Sequence, residues 1–297
     1  MKISIFGSNG YIGQHLVTRL SSERCQIDQY SSQENCIFDA DSGVIKEQVL
    51  DRTSGTDAVI YLSQSPYYRQ LPKHFEHVWG VNVISAVKAA EWARSNSAKK
   101  FIYASTGNVY CPGFEQHGEE DRLRQDDWYA LSKIHAEQAL SFFKNDMSVT
   151  NIRLFGVYGP GQKDRLIPKL IDSVVNGREI HIHGKNNRVD EYNGLCLSVC
   201  YIDDIVDIIF RLLQADAPYI INLSSKQVVS IREISDKIGE LINKKPEYLI
   251  SDTPRNFDLI ADVTRLVELI NPQFTDFTTG LSRVMDKYLS SGVSNGS

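Results

Sequence analysis

Short apolar runs alternate along the first half of the chain with stretches whose apolar residues recur at helical spacing. Residues 2 to 6 (Lys-Ile-Ser-Ile-Phe) read as a strand, and Leu16, Val17 and Leu20 mark the helix beyond the next glycine turn. A second strand ends near Tyr30, and Cys36-Ile37-Phe38-Asp39 reads as a short third. Asp57 to Leu62 forms a fourth, after which an alanine- and valine-rich helix begins at Asn82 and runs to Ala93. Lys99 to Ala104 is the next strand, ending at Ser105-Thr106-Gly107. This alternation predicts an α/β chain built on a parallel doubly wound sheet. Ligands bind such sheets at the carboxyl ends of the strands, where Gly7, Ser63 and Thr106 emerge.

Composition narrows the function classes. A length of 297 residues suffices for one large domain or two modest ones, and 42% hydrophobic with 23% charged residues is ordinary for a globular protein. The net charge of −5 gives no basic footprint for nucleic acid. The most apolar stretch, Ile205 to Leu213, is too short to span a membrane and carries Asp207 and Arg211. Five scattered cysteines predict no disulfide framework, and the amino terminus reads as a strand without a signal peptide, so a cytoplasmic location is expected. Cys196 and Cys200 read as core or strand residues. His181 and His183 alternate with isoleucine in a strand and have no third ligand in view, so no metal site is expected.

Candidate chemistry begins at Gly7-Ser8-Asn9-Gly10-Tyr11-Ile12-Gly13. A strand, a glycine turn and a helix in this order make a phosphate site: Gly7 permits the turn, Gly10 lets the backbone approach a pyrophosphate, and the helix supplies N–H donors. The position that binds the ribose 2′-hydroxyl in many NAD proteins falls on Ser31, or on Asp28 if the register differs. Without a carboxylate there, a 2′-phosphate is not repelled, which tilts the expectation from NAD toward NADP. Asp39 is placed either to meet an adenine edge or as a surface turn residue. Tyr129 and Lys133 are four residues apart on an expected helix and so share a face. An ammonium beside a phenol lowers the phenol's pKa, the minimum equipment for moving a proton on or off an alcohol.

These motifs resemble, in order, the extended short-chain dehydrogenases/reductases of the NAD-dependent epimerase/dehydratase family. The resemblance rests on Gly7 to Gly13, Asn82-Val83, Ser105-Thr106 and Tyr129-x-x-x-Lys133. It continues through Arg153-Leu-Phe-Gly-Val-Tyr-Gly-Pro-Gly161, Pro168 to Ile171, Tyr201-Ile-Asp-Asp204, Asn222-Leu-Ser224 and Ala261-Asp262, so it covers nearly the whole chain. It implies a Rossmann-type dinucleotide-binding domain of residues 1–160 plus about 196–214. A smaller, discontinuous substrate domain would take about 161–195 and 215–297. It also implies that Thr106 holds the reacting sugar oxygen, with Ser105 as its understudy. Tyr129 would transfer the proton, while Lys133 would hold the nicotinamide ribose and depress the phenol's pKa. Gly7, Asn9, Gly10, Tyr11, Ile12, Gly13, Ser31, Asp39, Leu62, Ser63, Gln64, Asn82, Ser105 and Phe155 join them as candidate cofactor contacts. Asn108, Arg188 and Arg255 join Thr106 and Tyr129 as candidate substrate contacts. A homodimer through the helices following Asn82 and Tyr129 is likewise implied.

Departures from the family pattern limit the chemistry. Sugar 4,6-dehydratases follow the threonine with Asp and Glu, whereas Gly107 and Asn108 stand here and neither is an acid or base. Cys111 replaces the usual glycine after Tyr110 and reads as a packing residue, and Gly156 replaces an asparagine that contacts substrate pyrophosphate in many relatives. The polar stretch 185–191 reads as a loop over the substrate, and the tail after Leu289 has the composition of a disordered end. The expected activity is hydride transfer at a secondary alcohol or ketone, at C4, of a nucleotide-activated sugar such as serves polysaccharide biosynthesis. A 4-ketoreductase is narrowly preferred, with a UDP-hexose 4-epimerase holding NAD tightly as the alternative. A non-catalytic dinucleotide sensor is the remote one, disfavoured because the chain keeps Tyr129 and Lys133.

Overall fold

A computed structural model describes residues 1–31, 37–51, 55–185 and 192–292. Six strands form the central sheet: β1 (Lys2–Phe6), β2 (Gln26–Tyr30), β3 (Ala58–Tyr61), β4 (Lys100–Thr106), β5 (Ser148–Leu154) and, later in the chain, β9 (Ile220–Leu223). Their order is β2-β1-β3-β4-β5-β9 and every pairing is parallel. The strand register sends alternate side chains to opposite faces. Ile3, Ile5, Ile60 and Ile102 join the core on one face, while Phe6, Val59, Tyr61, Phe101 and Tyr103 join that on the other. Both faces are covered, which is why β1, β3 and β4 read as largely apolar runs.

The remaining strands are β6 (Gly156–Tyr158), β7 (Ile180–Lys185), β8 (Cys196–Tyr201), β10 (Val228–Ser230) and β11 (Tyr248–Arg255). Strands β10, β8 and β6 make one small sheet, and β11 with β7 another. A single apolar core runs from Ile3 and Leu16 through Ile171, Ile182 and Val199 to Leu281, so the second part of the chain packs directly on the first.

Three expectations are corrected. Cys36 lies outside the described residues, and Ile37 is fully buried, but Phe38 makes only an isolated antiparallel bridge to Ile45, so no third strand joins the sheet there. Asn82 does not begin a helix. It sits within a π turn, Gly80–Ile84, that joins the helix Phe75–Trp79 to the helix Ser85–Ser95. Finally, β9 lies in the six-stranded sheet although the expected boundary near residue 215 assigns it to the substrate domain, and β8 lies outside that sheet. The parallel ladder between Asn151–Leu154 and Ile220–Leu223 holds β9 there.

Candidate active site

The glycine turn leaves β1 with Gly7 at φ +90, a conformation L-residues rarely adopt. A Cβ at Gly7 would lie 2.8 Å from the Ser63 backbone nitrogen, so the turn closes directly on the end of β3. The helix Tyr11–Ser22 then starts at Gly10 with no side-chain cap and no acidic residue in its first turn. Its terminal N–H groups and positive dipole end are therefore left for an anion. The hydroxyls of Ser8 and Ser63 are buried without a hydrogen-bond partner at these two strand ends. Buried polar atoms of this kind call for a ligand, and together with the uncapped helix they fit a dinucleotide's phosphates and ribose. Gly13 permits the close approach of helix and turn: a Cβ there would meet the carbonyl oxygens of Gly7 and Ser8 at 2.2 and 2.6 Å. Gly13→Ala is therefore expected to weaken NAD binding by at least about tenfold in a fluorescence titration. Gly113→Ala, with nothing within 4 Å of its Cβ, should leave binding unchanged.

Other candidate cofactor residues are placed as follows. Ser31 is buried immediately after β2, whereas Asp28 pairs with Lys2 at 3.2 Å. Asp39 holds its own turn, accepting from the backbone of Asp41 and from the backbone and hydroxyl of Ser42. These bonds hold its carboxyl below the ordinary range, in a surface turn. Asn9 accepts the Gln14 side-chain amide through its carbonyl, and Ile12 packs on the core. Tyr11 carries a buried hydroxyl without a partner. Leu62 continues the β1 ladder by donating to Phe6, and Phe155 packs so tightly that a Cβ on Gly107 would lie 2.7 Å from its ring.

The helix Trp128–Leu140 starts at Asp127, whose carboxylate accepts the Ala130 amide at 2.8 Å. This cap fixes the turn that carries Tyr129. The half-buried Tyr129 donates its hydroxyl to Gln64 Oε1 at 3.0 Å, and the nearby Thr106 side chain favours its ionised form. Thr106 is 7% exposed and accepts the Asn108 amide. Asn108 itself is exposed. Gln64, Thr106 and Tyr129 thus converge from β3, β4 and the helix.

Lys133 is 2% exposed and departs from expectation. Its ammonium donates to the Ala104 carbonyl at 2.8 Å and lies 4.8 Å from the Tyr103 ring centre, so it is anchored to β4. Burial pushes it down to about 7, against the opposing charge of Glu137. The Tyr129 phenol is pushed up instead of down. Burial is the main cause, Tyr68 adds to it, and Arg165 and the Thr106 side chain oppose it.

Stability follows from the Lys133 shift. An unfolded lysine keeps its proton to about pH 10.4, so between its folded value and that pH the unfolded chain binds the extra proton. The cost of burying the charge is present below about pH 7 and is relieved as pH rises. The slope approaches about 1.4 kcal/mol per pH unit. Lys133→Met should remove that increment, read as the difference between the two proteins' urea-unfolding free energies across this range.

Two residues missed in the sequence approach the same phenol. The Tyr68 ring lies 5.1 Å from that of Tyr129, and Arg165 donates to the Tyr68 hydroxyl. Both sit on irregular segments, where no periodicity marks them. Ser105 donates its hydroxyl to Glu137 at 2.5 Å. Asn82 donates to Ser132 on the Tyr129 helix and accepts from the Ser65 amide. Arg255 is committed elsewhere: it pairs with Asp258 at 2.9 Å, donates to the His183 carbonyl and packs over Phe114. Arg188 lies outside the described residues. Among the described residues no helix is long and apolar enough to cross a membrane.

A parallel sheet with an uncapped glycine turn at the end of β1, and a phenol, hydroxyl and lysine gathered at the end of β4, fits a dinucleotide-dependent enzyme of the short-chain dehydrogenase/reductase kind. The family model for the NAD dependent epimerase/dehydratase family matches residues 3–224, and the chain belongs to that family. A dTDP-D-glucose 4,6-dehydratase from Dictyostelium discoideum is 27% identical over 80% of this chain, which spans 61% of that longer relative. An uncharacterized UDP-glucose epimerase, YtcB of Bacillus subtilis, is 25% identical over 98% of both chains. Among solved structures, the UDP-glucose 4-epimerase of Thermus thermophilus in complex with NAD superimposes with a TM-score of 0.80. It is 18% identical and covers 98% of this chain and 100% of its own.

Proposed function

We propose that the protein transfers a hydride at C4 of a nucleotide-activated sugar, acting as an NADP- or NAD-dependent 4-ketoreductase. The observation that carries this reading is the convergence of Tyr129, Thr106 and Gln64 on one point, with Lys133 one turn along the helix. A bound nicotinamide supplies the hydride. Thr106 holds the sugar oxygen and Tyr129 delivers its proton, while Lys133 contributes a positive charge beside the cofactor ribose. Tyr129 has no acidic partner for removing water, because Gly107 and Asn108 follow Thr106. The buried Ser31 at the end of β2 supports NADP.

A second reading, a 4-epimerase that oxidises and re-reduces C4 with one retained NAD, is supported by the full-length match to an uncharacterized UDP-glucose epimerase. Gln64, Thr106 and Tyr129 serve both readings. Mass spectrometry of dinucleotides released from the purified protein separates them, together with an assay on UDP-glucose without added cofactor. Retained NAD with interconversion of two UDP-hexoses would end the reductase reading. A two-helix homodimer and a cytoplasmic setting remain part of the proposal, with sedimentation and cell fractionation as their tests.

A further inference from the structure

Glu137 lies one helical turn beyond Lys133 on the same buried face and has no part in the proton transfer described above. It is 3% exposed. A carboxylate so placed requires compensation. Its Oε1 accepts the Ser105 hydroxyl at 2.5 Å and Arg153 Nε at 3.0 Å, and its Oε2 accepts the second guanidinium nitrogen at 2.7 Å. Arg153, on β5, is 1% exposed and also donates to the Tyr110 hydroxyl and the Glu119 carbonyl. Tyr110 in turn donates to Asn222 of β9 at 2.6 Å. Burial disfavours the Arg153 charge, but its hydrogen bonds with Glu137 more than offset this and keep it protonated.

The helix thereby grips two consecutive residues at the end of β4. Lys133 binds the Ala104 carbonyl, and Glu137 binds the Ser105 hydroxyl. The next residue is Thr106. If the ion pair served packing alone, an apolar pair of similar volume would do as well or better. What an apolar pair lacks is a negative charge one turn from Lys133.

We propose that Glu137 and Arg153 are positioning residues for the reaction at Tyr129, locking the helix onto Ala104–Ser105 and setting a carboxylate one turn from Lys133. The inference rests on the roles given to Tyr129 and Lys133 above. Several other groups face this pair. Tyr103 on β4 lies against Lys133, Tyr110 and Glu119 flank Arg153, Tyr219 donates to the Glu137 carbonyl, and Tyr129 shares the helix. The Glu137 charge opposes the downward push of burial on Lys133.

The test compares the parent with Glu137→Met/Arg153→Met, each with and without Lys133→Met, by urea unfolding between about pH 6 and 9. NAD titrations over the same range accompany it. In the paired variant, the Lys133-dependent rise in stability is expected to begin about one pH unit lower. NAD binding near neutrality is expected to fall several-fold. A Lys133-dependent rise at the same pH in both backgrounds overturns the inference. Glu137→Gln, which keeps an oxygen for Ser105 and Arg153, is measured in the same way and decides the question should the apolar pair not fold. If neither NAD nor NADP binds the parent, the functional reading fails while the unfolding comparison still reports on Glu137. Full turnover by Tyr129→Phe would also sink the functional reading alone.

Discussion

Tyr129→Phe is expected to lower kcat by about 10²–10⁴-fold, the usual contribution of a positioned acid-base group, with dinucleotide affinity nearly unchanged. The substitution removes one oxygen, which donates to Gln64 at 3.0 Å, and leaves the ring against Tyr68. The lost hydrogen bond costs about 1 kcal/mol of stability, so the fold survives and the change reports on chemistry. Burial holds the phenol above its ordinary range in the free chain. The reduced, hydride-donating nicotinamide is uncharged and leaves Tyr129 protonated for donation, so the alkaline limb of reduction should lie above the ordinary phenol range, whereas the cationic ring of the epimerase reading would favour the phenolate and move that limb down. Turnover within tenfold of the parent would remove Tyr129 from the reaction.

Arg153→Met alone is expected to destabilise the chain by about 3–5 kcal/mol. It strands the Glu137 carboxylate, 3% exposed, with the Ser105 hydroxyl as its remaining side-chain donor. It also removes the donor that ties Tyr110 and the Glu119 carbonyl to β5. Arg94 makes a useful comparison, because it pairs with Glu91 at a similar 2.7 Å but both side chains are about half exposed. Arg94→Met should cost less than about 1 kcal/mol. Equal losses for the two variants, by urea midpoint, would show that the buried network contributes nothing beyond a surface pair.

The parallel sheet was legible because both its faces are covered, so β1, β3 and β4 are apolar on both sides and stand out from the amphipathic helices between them. The same criterion failed at Ile37-Phe38, where an apolar pair is used to bury a loop and make one bridge. It failed again at Asn82, since a π turn keeps a helical sequence pattern on both sides and gives no cap signal. In the site, Thr106, Tyr129 and the glycine turn were readable because each sits at the junction of a strand or helix. Tyr68 and Arg165 were not, because they meet across a separation of 97 residues on irregular segments. The surroundings of Lys133 were not legible. Four-residue spacing puts it on the same face as Tyr129, but spacing cannot show that its ammonium is desolvated and turned toward Ala104.

The π turn at Gly80–Ile84 is fastened at three sides. Gly80 lies against the Ser42 carbonyl so closely that a Cβ would come within 1.7 Å, and Asn82 is bound to Ser132. The carbonyls of Val81 and Asn82 accept the hydroxyls of Tyr61 and Tyr103. Deleting one residue there would restore ordinary winding and keep both halves near their present phase, because a π turn carries its extra residue as a bulge. The contacts that the bulge makes through Gly80, Val81 and Asn82 could not then all be kept. The segment from Phe75 to Ser95 is thus a spacer of fixed length, and insertions or deletions in this part of the chain belong outside it.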